Sequence, residues 1–466
     1  MPTQPNHSAA LAQLSELLGK NLVTSQADRD LHGQNETHFA PAPPDAVAYP
    51  ETTAQVSQIM QICAAHRCPV TPYGAASSLE GQHLAVRGGI SLDMTRMNAV
   101  LQVNDADLNA VVQPGITRIA LNEHLRATGL FFPVDPGADA SIGGMAATRA
   151  SGTTAVRYGT MADNILGLEA VMADGSILRT GTQARKSATG YDLTHLLIGS
   201  EGTLGVITEL TLKLQGVPEC TNAATCHFAS VQDAVNCVIL TIQSGLPMAR
   251  IELLDQMMVK GFNIYSDAGL PERPHLFLEF TGSPASVAEQ VETFGEIAAD
   301  FGAGGWKTAT KPEDRSALWS MRHKAHYASA ALARNKLILA TDVCVPISKL
   351  AMAVVQAQDD AARLGLTSTI VGHVGDGNFH CAISLDTDDA DEMARAGQFT
   401  HALSETALRL GGTVSGEHGI GLGKVKYMQA EHGAALPFMR AIKAALDPHN
   451  ILNPGKMLPD GPVFKG

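Results

Sequence analysis

Residues 133–164 read PVDPGADASIGGMAATRASGTTAVRYGTMADN, and the reading of this block decides the fold. It holds five glycines among many Ala, Ser and Thr, so a large flat cofactor could lie against exposed main chain along its whole length. Small-residue loops taken alone are more often tight packing. A shorter run upstream, Pro72-Tyr73-Gly74-Ala75-Ala76-Ser77-Ser78-Leu79-Glu80-Gly81, leaves the strand Pro69 to Tyr73 with small residues whose successive N–H groups form the concave donor array that holds a phosphate. Neither run is a G-x-G-x-x-G opening a helix. The stretch Gly419-Ile420-Gly421-Leu422-Gly423-Lys424 is followed by Val425 and is out of register for a P-loop. Nicotinamide on a Rossmann domain and a nucleoside triphosphate on a P-loop are both disfavoured.

A second cluster carries chemistry. Gly372 to His380 reads GHVGDGNFH, and a hairpin with Gly375, Asp376, Gly377 and Asn378 at its tip sets His373 and His380 directly opposite each other. Opposed positions share a face with β-carbons about 4.5–5.5 Å apart, which suits two nitrogens converging on one metal. Downstream, Gly416-Glu417-His418-Gly419 adds a carboxylate and another imidazole. Two histidines and a carboxylate leave a coordination position open, the pattern of a catalytic divalent metal; a structural zinc is closed by four protein ligands, often cysteines. A lone histidine in a Gly-rich turn is more often a hydrogen-bonded polar residue, but the two segments together favour a site.

Composition narrows the classes. A chain of 466 residues with 45% apolar content suffices for two or three packed domains. A net charge of −13 without long single-sign runs argues against nucleic acid or an anionic membrane as main partner, since both call for a basic surface. Seven cysteines is an odd number, and Cys63/Cys68 and Cys220/Cys226 lack C-x-x-C spacing, so reduced thiols and a cytoplasmic location are expected. The opening MPTQPNHSAALAQLSELLGK has neither signal nor transit character, and no segment approaches about 18 uninterrupted apolar residues, so no leader or transmembrane segment is expected.

Along the chain the apolar period changes repeatedly. Leu11, Leu14, Leu17 and Leu18 predict a short helix ended by Gly19, and Val56, Ile59, Met60 and Cys63 a second. Between Tyr73 and Gly216 short strands alternate with glycine-dense turns. From about Val217 longer helical patterns (231–244, 286–301, 349–364, 390–410) alternate with strand-like runs at 276–280, 337–345 and 381–385. A last helix at 436–446 stops at Asp447-Pro448 and leads to an Asn453-Pro454-Gly455-Lys456 turn.

Six ordered motifs run through this frame: TPYGAASSLEG, the 133–164 block, GYDLTHLLIGSEGTLGVIT (Gly190 to Thr208), HVGDGNFH, GEHGIGLGK and LNPGK. Together they resemble the FAD-linked oxidase superfamily with the p-cresol methylhydroxylase type flavin domain. Within it the chain looks most like the flavin-dependent D-lactate dehydrogenases of the cytochrome-linked type. The similarity spans about Pro41 to Leu458; glycolate oxidase and D-2-hydroxyglutarate dehydrogenase share most of these motifs.

The resemblance implies an α+β fold: an N-terminal helical segment (1–40), a two-subdomain FAD-binding domain (41–217), an α+β substrate or cap domain (218–415) and a C-terminal segment (416–466) returning to the flavin. It places FAD on Pro72, Gly74, Ala75, Ala76, Ser77, Ser78, Leu79 and Gly81, and on Pro136, Gly137, Ser141, Ile142, Gly144, Ser151, Gly152 and Tyr158. Val206 and Ile207 would contact the adenine half, and Asn453 the flavin. Some members tether the flavin through a His before the first loop; Pro72-Tyr73 stand there, so a non-covalent FAD is implied. The family's metal ligands fall on His373, His380 and Glu417, its base on His418, and its substrate-carboxylate arginine on Arg322, with Asn378 a further catalytic position. A bidentate guanidinium is what a 2-hydroxy acid requires; without the family context Arg322 reads as an exposed helix charge. His326 is another pocket candidate.

The chemistry so implied is oxidation of a D-2-hydroxy acid: the metal acidifies the hydroxyl, His418 takes the proton, and hydride passes to flavin N5. Handedness rests on the resemblance alone. A cytochrome, a quinone or an electron-transfer flavoprotein would take the electrons. Relatives that accept a distal carboxylate place a lysine shortly before the aspartate matching Asp342, where this chain has Leu337-Ile338-Leu339-Ala340-Thr341 with Lys336 just upstream. That leans to lactate before 2-hydroxyglutarate. The metal, zinc, manganese or iron, stays open, as does the oligomeric state, a homodimer included. A metal-dependent hydrolase could use the same ligands without flavin, but would have no evident use for the 133–164 block; a non-catalytic flavin subunit would not need His418 and Arg322.

Overall fold

Ala10, Leu14 and Leu18 recur at helical spacing and form the buried stripe of the first helix, His7–Leu18, which Asn6 caps and Gly19 (φ 51°) ends. The computed structural model describes residues 6–333 and 336–462. Within them the chain forms two units. The first runs to Ser151, resumes over Thr160–Val217 and returns from Glu417; the second comprises Gly152–Gly159 and Pro218–Gly416.

In the first unit, β1 (Leu22–Val23), β2 (Ala46–Ala48), β3 (Val70–Tyr73) and β4 (Ile90–Asp93) make a sheet of order β1-β2-β4-β3. β4 is parallel to both β2 and β3. The helix Thr53–His66, capped by Thr52, buries Val56, Ile59, Met60 and Cys63, as its apolar spacing predicts. β5 (Val100–Asn104) and β6 (Asn109–Val112) come next, then β7 (Leu130–Phe131), β8 (Ile165–Val171), β9 (Ile177–Gly181), β10 (Val206–Lys213) and β11 (Gln215–Gly216). The second sheet has the order β5-β6-β10-β8-β9, and β7 pairs with β11. The return segment completes the unit: Val70 donates its N–H to Ile451 O at 2.8 Å, and Asn453 donates its own to Val70 O at 2.8 Å.

The second unit is built on an eight-stranded sheet: β12 (Cys220–His227), β13 (Met248–Leu254), β14 (His275–Gly282), β15 (Gly304–Ala309), β16 (Leu337–Ala340), β17 (Val343–Cys344), β18 (Ser368–His373) and β19 (Asn378–Leu385). Its order is β15-β12-β14-β13-β18-β19-β16, with β17 also on β19. All pairs are antiparallel. Alternation sends Ile370 into the core with Phe294, Val354 and Phe399, and Val371 into a second core with Phe262 and Trp319, so both faces are covered.

Two strand expectations need correction. His380 pairs with Val371, not with His373. The turn is 374–377, one residue earlier than expected, because Gly377 takes φ 80° where a Cβ would lie 2.0 Å from Val345 O. Asn378 thereby enters β19 and donates from Nδ2 to Asp342 Oδ1 (2.7 Å) and Val343 O (2.9 Å). The shift is one residue on each strand, so both histidines still share a face, diagonally, with ring centroids 5.4 Å apart. The expected strand 337–345 is interrupted at Thr341 and Asp342, between β16 and β17. There Thr341 Oγ1 accepts from Cys381 N at 3.0 Å while its carbonyl takes His380.

Candidate functional site

In the second unit the two histidines are buried, and their δ nitrogens are committed. His373 Nδ1 lies 2.6 Å from Glu252 Oε1, directly across the β13/β18 ladder. His380 Nδ1 lies 3.1 Å from the Thr341 carbonyl and 3.8 Å from Asp342 Oδ1. Carboxylates and carbonyls only accept, so each ring carries a proton on Nδ1 and Nε2 is the nitrogen to which a ligating lone pair belongs. Arg322, in the last turn of the helix Pro312–His323, donates from Nε and Nη2 to the other oxygen of Glu252, at 2.8 and 2.7 Å. Burial opposes charge on Glu252, and the charges and hydrogen bonds of His373 and Arg322 outweigh it, holding the carboxyl below the usual glutamate range.

Glu417 is joined directly to Gly416, the last residue of the second unit's long segment. His373 and His380 offer two candidate ligand nitrogens from one face of the second unit's sheet, and Glu417 offers a candidate carboxylate oxygen. Two imidazoles with preset tautomers and one carboxylate fit a borderline divalent cation. Glu417 Oε2 also accepts from Ser151 Oγ at 2.7 Å.

In the first unit the two glycine runs meet. A Cβ on Gly74 would sit 2.4 Å from Ser141 Oγ, and one on Gly144 2.9 Å from the same oxygen; glycine is needed at both positions to pack against that hydroxyl, and the meeting brings together main chain and a hydroxyl, groups that suit a pyrophosphate. Residues 74–79 are half-buried or exposed and Ala76 has φ 55°. His83 holds the loop: Nδ1 lies 3.2 Å from Ser78 Oγ and Nε2 2.9 Å from Gln34 O. Burial pulls this imidazole below its usual pKa. The GEHGIGLGK segment is tied to the same loop, since Gln82 Nε2 donates to His418 O at 2.7 Å and Leu422 N to Glu80 O at 2.7 Å. Asn453 Nδ2 donates to Gln82 O (3.0 Å) and Glu201 O (2.7 Å), and Lys456 Nζ to Leu84 O.

Other expected cofactor residues fall variously. Pro72 and Pro136 are half-buried and Gly137 exposed, whereas the Ile142, Val206 and Ile207 side chains are in apolar cores, so what they offer a ligand is backbone. Gly152 and Tyr158 lie in the short segment grouped with the second unit. His326 stacks edge-on against Tyr327.

Two acids had no sequence signal that singled them out. Glu252 is fully buried and sits in MARIELL, an ordinary strand pattern. Glu201, inside GSEGTLG, accepts from Ile420 N at 2.6 Å and Gly421 N at 2.8 Å; burial raises its carboxyl in spite of those donors.

A first unit in which two glycine-rich runs meet, and a second with two buried histidines on one face of its sheet, are the equipment of a flavoprotein oxidoreductase. The chain belongs to the FAD-linked oxidase family: residues 44–181 match its FAD binding domain and residues 217–457 the FAD linked oxidases C-terminal domain. It is 48% identical over 443 residues to the probable mitochondrial D-lactate dehydrogenase of Danio rerio, covering 94% of this chain and 89% of that one. It is 43% identical to the mitochondrial D-lactate dehydrogenase (cytochrome) of Arabidopsis thaliana, covering 97% and 81%. The fold is that of p-cresol methylhydroxylase, with a TM-score of 0.76 at 17% identity over 96% of each chain. Among the described residues no helix is long and apolar enough to cross a membrane, and all seven cysteines are free.

Proposed function

We propose that this protein is an FAD- and metal-dependent dehydrogenase that oxidises a D-2-hydroxy acid, D-lactate in first place, to the 2-keto acid, pyruvate. The observation that carries this reading is the 48% identity, over 94% of the chain, to a relative named as a D-lactate dehydrogenase. When bound, FAD supplies the hydride acceptor and a divalent metal the Lewis acidity that lowers a coordinated hydroxyl's pKa. His373, His380 and Glu417 hold the metal, which is zinc, manganese or iron. Arg322 offers the guanidinium edge that Glu252 leaves unused to the substrate carboxylate. His418 takes the hydroxyl proton, and Asn378 positions Asp342 beside His380.

Substrate size follows from Lys336. Its ammonium is committed to Glu392 at 2.7 and 2.9 Å, and Leu337 to Thr341 carries no other cation. A second, distal carboxylate there would meet no compensating charge, which favours lactate over 2-hydroxyglutarate. A cytochrome, quinone or electron-transfer flavoprotein as acceptor, a homodimer and a cytoplasmic location belong to the same proposal, the last against the mitochondrial names of the two relatives.

The test is the visible spectrum of the purified protein, made anaerobic and given D-lactate and L-lactate in turn, with metal assayed on the same sample. Bleaching of the flavin band by the D acid alone is expected. Bleaching only by other 2-hydroxy acids would replace the substrate, and a colourless, metal-holding protein that resists reconstitution with FAD would overturn the dehydrogenase in favour of a hydrolase.

A further inference from the structure

We propose that Glu252 is a positioning residue that sets the metal ligand His373 and the substrate clamp Arg322 at once, one with each carboxylate oxygen. The inference rests on the reading of His373, His380 and Glu417 as a metal site. Glu252 is fully buried on β13, opposite His373. Its Oε1 takes His373 Nδ1 at 2.6 Å; its Oε2 takes Arg322 Nε and Nη2 at 2.8 and 2.7 Å. A carboxylate only accepts, so His373 is held in the tautomer whose Nε2 can ligate. Two of the five guanidinium N–H groups are spent on Oε2, which fixes the plane in which the others face a substrate.

The amide of a glutamine cannot reproduce this. It has one accepting oxygen and one donating nitrogen. Turned so that the oxygen serves Arg322, it drives His373 to accept at Nδ1 and protonate Nε2, the form that cannot bind metal. Turned the other way, its NH₂ meets the Arg322 donors. A purely structural ion pair would respond differently: its loss would lower stability and leave metal affinity unchanged.

The test is calorimetric titration of FAD-loaded, metal-stripped protein with Mn²⁺ and with Zn²⁺ for the parent, Glu417→Gln and Glu252→Gln, with FAD content and the KM for D-lactate at saturating metal read alongside. Glu252→Gln is expected to keep its FAD, weaken metal binding about 10- to 100-fold and raise KM about tenfold or more. If the parent binds no metal, or Glu417→Gln binds it as the parent does, the metal-site reading has failed. If those two behave as expected and Glu252→Gln binds metal within about twofold of the parent, this inference alone is overturned. Should Glu252→Gln not accumulate with FAD, Glu252→Gln combined with Arg322→Gln buries no unpaired charge, and its titration is judged by the same bound.

Discussion

One proton on His373 decides whether that ring can ligate, and one carboxylate behind it decides where the proton sits. The residues at the front of the site behave differently when removed. Glu417→Gln is expected to lose metal and turnover while keeping FAD; His418→Ala keeps metal and FAD and loses flavin reduction by about 10²–10⁴-fold, the usual worth of a positioned base. Stopped-flow bleaching with D-lactate reads both, and a His418→Ala protein reduced at the parent rate would remove that residue as the base. His373, His380 and Glu417 stood out in the sequence as candidates because glycine-flanked turns announce themselves over a few residues. Glu252 was not, because its meaning lies 121 residues away in His373 and 70 away in Arg322, and nothing in MARIELL points to either.

Elements show the same division between local and distant causes. Apolar periods located the helices 231–243, 284–300, 350–363 and 390–409 to within a few residues. The hairpin register was missed because it is set by contact of Gly377 with Val345 from β17's exit, and the break in the 337–345 strand because Thr341 turns its hydroxyl onto β19. Asp255 joins two such elements: Oδ1 caps the helix Gln256–Ser266 through Met258 N (2.8 Å) and accepts Ile370 N (3.0 Å) at β18. Burial pushes this carboxyl up to about 6, against those donors. Between the unfolded value near 3.8 and about 6 the native state keeps a proton that the unfolded chain has lost. Stability therefore falls as pH rises through that window, by at most roughly 3 kcal/mol from this group. Urea midpoints of the parent and Asp255→Asn, compared from pH 4 to 7, should show the parent losing ground to the variant as pH rises; a constant difference would refute the assignment.

For the molecule as a whole, the chain passes between its two units four times, after Ser151, Gly159, Val217 and Gly416. In the sequence the longer helical patterns begin at about Val217; the short visit of Gly152–Gly159 carries no such change of period, since glycine and alanine suit either unit. The first unit is completed only by the return segment, in which Ile451 and Asn453 bond to Val70 of β3 and Asn453 to Gln82, 371 residues earlier. A chain ended at Gly416 is expected to lose FAD, measured as flavin absorbance per chain after gel filtration; full retention would show the return segment to be dispensable. The same pairing imposes an order on synthesis. The ribosome makes β3 early and its last neighbour only after the whole second unit has emerged, so the first unit is begun first and finished last. Until Leu452 arrives beside Val70, a nascent chain carries an open strand edge of the kind that invites pairing with another chain.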